Sequence, residues 1–280
     1  MPTLAERLVA AATALAPVTE TPRLESELLL MHALGLSRAQ FLARLEESPK
    51  VPGFESLLKR RLAHEPIAYI LREHEFFSLG FYVEAPLLVP RPETEHLVEA
   101  VLDFMREAAA RVLEIGTGTG CVAVAIARCA PNCRVWATDV RTSALAVARR
   151  NAERHQVAAR IDFVESDLFS GLPPDCGPFD VVCSNPPYVE DHAWSTLSPT
   201  IRDYEDATAL RGGKDGLDVI RRLCAEARPF LRPGGLLAFE MGMGQYNKVR
   251  GILAENGYER IRCVKDLATI DRIALAINPL

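Results

Sequence analysis

The 280-residue sequence predicts an α/β fold: a Rossmann-like, mostly parallel sheet behind a small helical bundle and a β-hairpin linker. Three observations predict it. From Arg111 onward, short apolar runs alternate with amphipathic helical stretches, the pattern of a sheet buried on both faces. A glycine-rich turn, Gly116 to Gly120, joins the first apolar run to a helix. Before about residue 65 the apolar residues recur at helical spacing instead.

The helical region comes first. Leu4, Leu8, Ala11 and Leu15 share one helical face. Thr21 suits an N-cap, Pro22 the first helical position and Gly35 a C-terminal stop, with Leu24, Leu28 and Met31 as the stripe between. Shorter helices are expected around Arg38 to Leu45 and Phe54 to Ala63. Residues 1–65 are therefore expected to form a unit of their own, a helical substrate-recognition domain. Residues 66–90 change pattern, with aromatic and β-branched residues alternating through EFFSLGFYVEAPLLVP. This reads as a β-hairpin linker with Gly80 near its turn. Residues 91–280 then begin with an amphipathic helix and continue into strands at RVLEIG, CRVWATDV, IDFVESD, FDVVCSN and GLLAFEMG.

Composition narrows the function classes. Apolar residues make up 49% of the chain, enough for a real core, and the formal net charge is −5. A long nucleic acid would more often meet a basic excess. The seven cysteines include no CxxC pair. They read as buried free thiols of a reducing cytoplasm, with no metal site. The N-terminus reads as an amphipathic helix and not a signal peptide. No apolar run approaches the roughly 20 residues that span a membrane.

The glycine turn carries the first chemical signal. Small residues at Gly116, Thr117, Gly118, Thr119 and Gly120 let backbone approach a ligand closely. The spacing GxGxG differs from the dinucleotide fingerprint GxGxxG and is typical of methyltransferases, which points to S-adenosyl-L-methionine. Asp139 ends the next strand, where an acid accepts from both ribose hydroxyls; capping the following helix is its alternative role. Asp167 ends the third strand and could accept from the adenine amino group, with Leu168 or Phe169 packing on the ring. Capping a turn is its alternative role, and the two preceding sites favour the adenine contact. Glu114 either anchors the glycine loop or approaches the methionine end.

The fourth strand ends in Ser184-Asn185-Pro186-Pro187-Tyr188, beside the glycine turn in any open α/β sheet. Two prolines stiffen the backbone and remove two N–H groups. Their carbonyls and the Asn185 side chain form a row of acceptors, suited to an NH2 group. A planar amide or aromatic amine is a poor nucleophile because its lone pair is delocalised. Hydrogen bonds from its N–H groups enrich the nitrogen and stabilise the charge that grows on methyl transfer. Tyr188 can pack flat on such a group. No prior deprotonation is needed, and the sequence offers no clear general base.

With these residues in hand, the chain resembles the protein-(glutamine-N5) methyltransferases that modify class I peptide chain release factors. The resemblance covers nearly the whole chain. It includes ELLLMHALGLSR, RRLAHEPIAYILREHEFF, LLVPRPETEHLVE, LEIGTGTG, SDLFSGLP, FDVVCSNPPYV, GGKDGLDVIRRL, LRPGGLLAFEMGMGQ and KDLATIDRIALA. It implies S-adenosyl-L-methionine as cofactor and the glutamine of a GGQ motif as substrate. It implies cofactor contacts at Gly116 to Gly120, Asp139 and Leu168, and a glutamine-binding row at Asn185 to Tyr188. Phe76 and Phe77 fall where family members carry pocket aromatics, although hairpin core explains them equally. Arg91 and Glu93 lie in a loop able to close over the cofactor or to form ordinary ion pairs. Two segments depart from the family pattern: Asp203-Tyr204-Glu205-Asp206-Ala207, and LREHEFF, which lacks a usual glycine. Two rivals remain at this level, an adenine-N6 methyltransferase of DNA or RNA, and a silent binding protein on the same fold. The first calls for a basic face on residues 1–65, the second for failure to bind S-adenosylmethionine.

Overall fold

Thr3 starts the first helix with a capping box: its hydroxyl accepts from the Glu6 amide, and the Glu6 carboxylate accepts from the Thr3 amide. The computed structural model describes residues 1–106, 108–173 and 175–279. Helix α1 (Leu4–Leu15) is followed by α2 (Pro22–Leu34), which Gly35 ends in a left-handed conformation, and by α3 (Arg38–Ala43), α4 (Phe54–Leu62) and α5 (Ile67–Leu71). The expected face of α1 is core: Leu4, Leu8, Ala11 and Leu15 are buried with Leu29, Phe41 and Phe54. The stripe expected on α2 is not: Leu24 is exposed and Leu28 and Met31 are half-buried, and Leu29 and Leu30 with Glu25 and Ser26 face inward instead. One buried ion pair joins α2 to α4. The Arg61 guanidinium donates to Glu25 at 2.6 Å, and Glu25 also accepts from the Thr19 hydroxyl.

Residues 1–73 form one compact unit together with 198–204, whose Tyr204 hydroxyl donates to the Ala63 carbonyl at 2.7 Å. Residues 74–197 and 205–280 form the second unit. The hairpin is shorter than the alternating pattern suggests, with strands β1 (Glu73–Phe76) and β2 (Leu79–Tyr82). Ile67–Leu71, apolar and aromatic, is helical rather than extended. The turn falls on Phe77 and Ser78, whose φ values of 51° and 57° are both left-handed. Gly80 lies within β2 and not at the turn.

The second unit's helices and strands then alternate: α6 (Glu95–Met105), β3 (Arg111–Ile115), α7 (Cys121–Cys129), β4 (Arg134–Asp139), α8 (Thr142–Arg154), β5 (Ile161–Glu165) and β6 (Phe179–Ser184). A helix over Asp218–Ala227, β7 (Leu231–Glu240), a helix over Tyr246–Glu255, β8 (Glu259–Lys265) and β9 (Asp271–Ile277) complete it. The seven strands are ordered β5-β4-β3-β6-β7-β9-β8. The first five are parallel; β9 runs antiparallel to both its neighbours. Leu113, Val182 and Leu237 on three adjacent strands are fully buried in one cluster. Each such side chain contributes roughly 1.5–3 kcal/mol by leaving water.

Register places the site. Ile115 lies opposite Thr138 on one side and Ser184 on the other, and Asp139 lies opposite Glu165. Four strands therefore end level, and the segments after them emerge along one edge. Among the described residues, no helix is long and apolar enough to cross a membrane, and no group of three His, Cys, Asp or Glu could hold a metal ion. All seven cysteines are free.

Candidate active site at the carboxyl edge of the sheet

The turn after β3 is stapled from below. The Thr117 amide donates to the Thr138 carbonyl at 2.7 Å, and the Thr117 hydroxyl donates to Glu114 at 2.6 Å. Glu114 also accepts from the Ala123 amide at the start of α7. Its carboxyl is buried within the sheet, and burial pushes its pKa up to about 7, against the pull of those two hydrogen bonds. Glu114 therefore anchors the loop. Gly120 has φ of 80°, and a Cβ there would lie 2.9 Å from Ala148 of α8, so this glycine lets two helices approach. Asn151, one turn further along α8, accepts from the Tyr82 amide and donates to the Tyr82 and Thr119 carbonyls, joining hairpin and loop.

A cavity of about 280 Å³ opens above this loop. Gly116, Gly118, Asp139, Asp167 and Leu168 line it, and so do Asn185, Pro186 and Pro187. Ends of four strands thus converge, as the sequence leads one to expect. The other three residues of the expected cofactor set lie outside the lining. Thr117 and Thr119 are buried beneath the loop, and Gly120 faces α8. Tyr188 does not line the cavity either; its hydroxyl donates to Glu240 at 2.8 Å. Phe76 is buried in the hairpin beside Phe81, and the half-buried Phe77 donates its amide to Glu95. Neither phenylalanine lines the cavity; both lie at the hairpin, Phe76 in β1 and Phe77 in the turn after it.

The lining fits an adenosyl sulfonium. A Cβ added at Gly116 or Gly118 would meet nothing within 4 Å, so these α-carbons face open space. Asp139 accepts one backbone N–H on each oxygen, from Gly118 at 2.9 Å and Arg141 at 3.0 Å. A carboxylate has about four acceptor positions, so capacity for two hydroxyls remains. Asp139 thus ties the glycine loop to the start of α8, and loop anchor and ribose acceptor are compatible roles. Leu87, Leu168 and Val219 supply apolar walls. Asp167 already takes a two-pronged ion pair from Arg222, at 3.1 and 3.3 Å. An adenine amino group would share that carboxylate with a guanidinium.

Several residues of the site carry no local sequence signal. Asn185 donates its amide N–H to Thr94 at 3.1 Å, and Thr94 donates to Glu240 at 2.6 Å. Glu240 is buried, and burial raises its pKa. Burial also raises that of Tyr188, with the Glu240 charge adding to it. The Tyr188 carbonyl accepts from Gln245 at 3.0 Å, and a Cβ at Gly216 would strike that carbonyl at 2.3 Å. The GGKDG segment therefore buttresses the Asn185 to Tyr188 turn from behind. The divergent segment is tied down as well. Arg91 donates to both oxygens of the buried Glu205 at 2.7 Å, and Asp206 pairs with Arg141. Both pairs lie within the second unit.

Comparison with known proteins shows the family. Residues 94–201 match the model of a methyltransferase small domain, and residues 6–71 that of a PrmC N-terminal domain. The release factor glutamine methyltransferase of Rhodopirellula baltica is 38% identical, over 91% of this chain and 89% of its own. That of Neisseria gonorrhoeae is 40% identical, over 92% of this chain and 94% of its own. A methyltransferase structure from Pyrococcus furiosus, 23% identical, covers 81% of this chain and 100% of its own at a TM-score of 0.54, a likeness of fold.

Proposed function

The chain belongs to the release factor glutamine methyltransferase family, and from that premise we propose that it methylates the side-chain amide nitrogen, N5, of a glutamine in a class I peptide chain release factor. The glutamine is that of the GGQ motif. The enzyme is a methyltransferase that uses S-adenosyl-L-methionine. The observation that carries the substrate reading is the orientation of Asn185. Its N–H is committed to Thr94, so its oxygen is left to accept from a substrate N–H at the cavity wall.

When bound, S-adenosylmethionine supplies an electrophilic methyl on a positively charged sulfur. The chain's residues do the rest by holding. Gly116 and Gly118 admit the cofactor against backbone, Asp139 accepts from the ribose, and Leu168 packs on the adenine. Asp167 marks the adenine edge together with Arg222. Asn185 and the Pro186 carbonyl accept the two N–H groups of the glutamine amide, keeping it planar and its nitrogen facing the methyl. Such bonds strengthen as positive charge develops on nitrogen, so they favour the transition state over the bound substrate. Alignment adds a further large share. Tyr188 and Pro187 stiffen the row.

The first unit, residues 1–73 with 198–204, is the recognition module for the release factor in this reading. The net charge of −5 supports a protein partner over direct contact with nucleic acid, and a cytoplasmic location fits the free cysteines. The test uses the purified enzyme, labelled S-adenosylmethionine and a release factor. One methyl is expected on the GGQ glutamine, located by peptide mass analysis. Label on adenine in DNA or RNA, with none on the release factor, overturns the reading.

A further inference from the structure

Glu240 sits at the end of β7 with 1% of its surface exposed. Burying a carboxylate is costly unless a cation or hydrogen bonds compensate. Among the described residues its hydrogen-bond partners are two hydroxyls, those of Thr94 and Tyr188, one on each oxygen. Arg272 lies near enough to be felt but spends its guanidinium on Asp266. A glutamine would be cheaper to desolvate here, since it carries no charge. The carboxylate has one property that an amide lacks: both ends accept and neither donates.

That property propagates. Each hydroxyl has a single proton, and Glu240 takes both. Thr94 then has only lone pairs for Asn185, so the Asn185 NH2 turns toward Thr94 and its oxygen turns away. Tyr188, three residues further, is fixed by the other carboxylate oxygen. We propose that Glu240 is a positioning residue for methyl transfer, setting through Thr94 the polarity with which Asn185 meets the substrate. The chain of bonds runs carboxylate, hydroxyl, amide, and its free end is an acceptor. A substrate nitrogen must therefore donate, which an NH2 amide does and a tertiary amine does not. The inference rests on the glutamine-amide reading above and extends it from the row of acceptors to what orients the row.

Three variants of the full-length protein test it. Glu240→Gln puts a donor where one hydroxyl expects an acceptor. Thr94→Val removes the hydroxyl at nearly constant volume. Thr94→Ser keeps it. Glu240→Gln and Thr94→Val should each slow single-turnover methylation of the release factor by about tenfold or more, the scale of one misoriented charge-stabilising hydrogen bond. Affinity for S-adenosylmethionine, measured by calorimetry, should stay within about twofold, because neither residue touches the glycine loop or Asp139. Thr94→Ser should recover the rate. The side-chain amide resonances of Asn185 read the relay without any substrate: they should shift in Glu240→Gln and Thr94→Val and hold in Thr94→Ser. A wild-type rate and unshifted Asn185 resonances in Thr94→Val overturn the proposal. If the wild-type protein transfers no methyl to the release factor, the functional reading fails, and the resonances still decide whether Glu240 orients Asn185.

Discussion

An amide and a carboxylate at position 185 differ by one donor group, the NH2, and Thr94 is the neighbour that would feel the difference. The Thr94 proton is already given to Glu240, so in Asn185→Asp two acceptors would face each other at about the present 3.1 Å. We expect Asn185→Asp to lose about a hundredfold or more in single-turnover rate, comparable to removing a preorganised donor or acceptor, with cofactor affinity nearly unchanged by calorimetry. Near-normal turnover would show that the amide's donor is idle. Glu114 gives a second residue-scale expectation. Its pKa is 4.5 when solvated and about 7 in the folded chain. Between those values the folded state holds a proton that the unfolded state has lost, so stability falls as pH rises through that window, by roughly 3 kcal/mol. Glu114→Gln cannot ionise, and its amide oxygen can keep both hydrogen bonds that now reach one carboxylate oxygen. The variant should melt close to wild type near pH 4.5 and clearly above it at pH 8. An equal difference at both pH values would show that the charge is not what costs stability. Gly116, Asp139 and Asn185 were legible in the sequence because each ends an apolar run, and strand ends converge in this fold. Glu240 also ends such a run, yet its partner Thr94 lies 146 residues away. No local pattern announces a contact of that separation. The same holds for Asn151, which reaches Tyr82 across 69 residues.

At the scale of elements, legibility followed burial. Strands β3 to β7 are wholly or largely apolar and bounded by turn residues. Strand β8 lies at one edge of the sheet and has no buried residue, unlike β5 at the other edge, whose Ile161 is buried, so the residues of β8 carry little hydrophobic pattern. β9 is apolar in its middle but follows no helix, and the alternation of strand with helix gave no reason to expect it. Helix α5 is the opposite case: IAYIL is apolar throughout, and so short a run fits strand and helix alike. The α7–α8 packing offers a direct test of one element contact. Gly120→Ala would place a methyl 2.9 Å from both the Cα and the Cβ of Ala148, at a left-handed φ. Strain of about 1–2 kcal/mol for the backbone and about 1–3 kcal/mol for overpacking should appear as a lower denaturant midpoint. Adding Ala148→Gly removes the Cβ but keeps the Cα, so it should recover only part of the packing cost, less about 1 kcal/mol for a glycine inside α8, and leave the backbone part. No recovery in the double variant would mean that the contact between the two helices is not the source of the cost.

The whole molecule consists of two compact units, and the division of labour proposed for them is testable. The entire cavity lining comes from the second unit, from Leu87 to Arg222. The first unit contributes nothing to it, yet it has its own core, its own buried ion pair and exposed apolar side chains at Val9, Leu24 and Leu42. Val9 is 66% exposed beside a shallow groove formed with Ala5, Leu8, Ala12 and Leu45. Scattered exposed leucines such as Leu24 and Leu42 are ordinary; an exposed valine on an apolar groove, on a unit without a part in the cavity, suits a protein partner. In the full-length chain, Val9→Asp should change stability by only about 0.5 kcal/mol, as surface substitutions do. A charge in an apolar contact should nonetheless raise the KM for an intact release factor about tenfold, the scale of one desolvated interface residue. The turnover number and the affinity for S-adenosylmethionine should be unchanged, since the cavity is built elsewhere. A fragment beginning at His74 carries the complete lining and should bind S-adenosylmethionine with near-normal affinity while failing to methylate the intact release factor. The two experiments check each other. An unchanged KM in Val9→Asp removes this groove from the contact, whereas a folded fragment that methylates the release factor at the wild-type rate removes the first unit from recognition altogether.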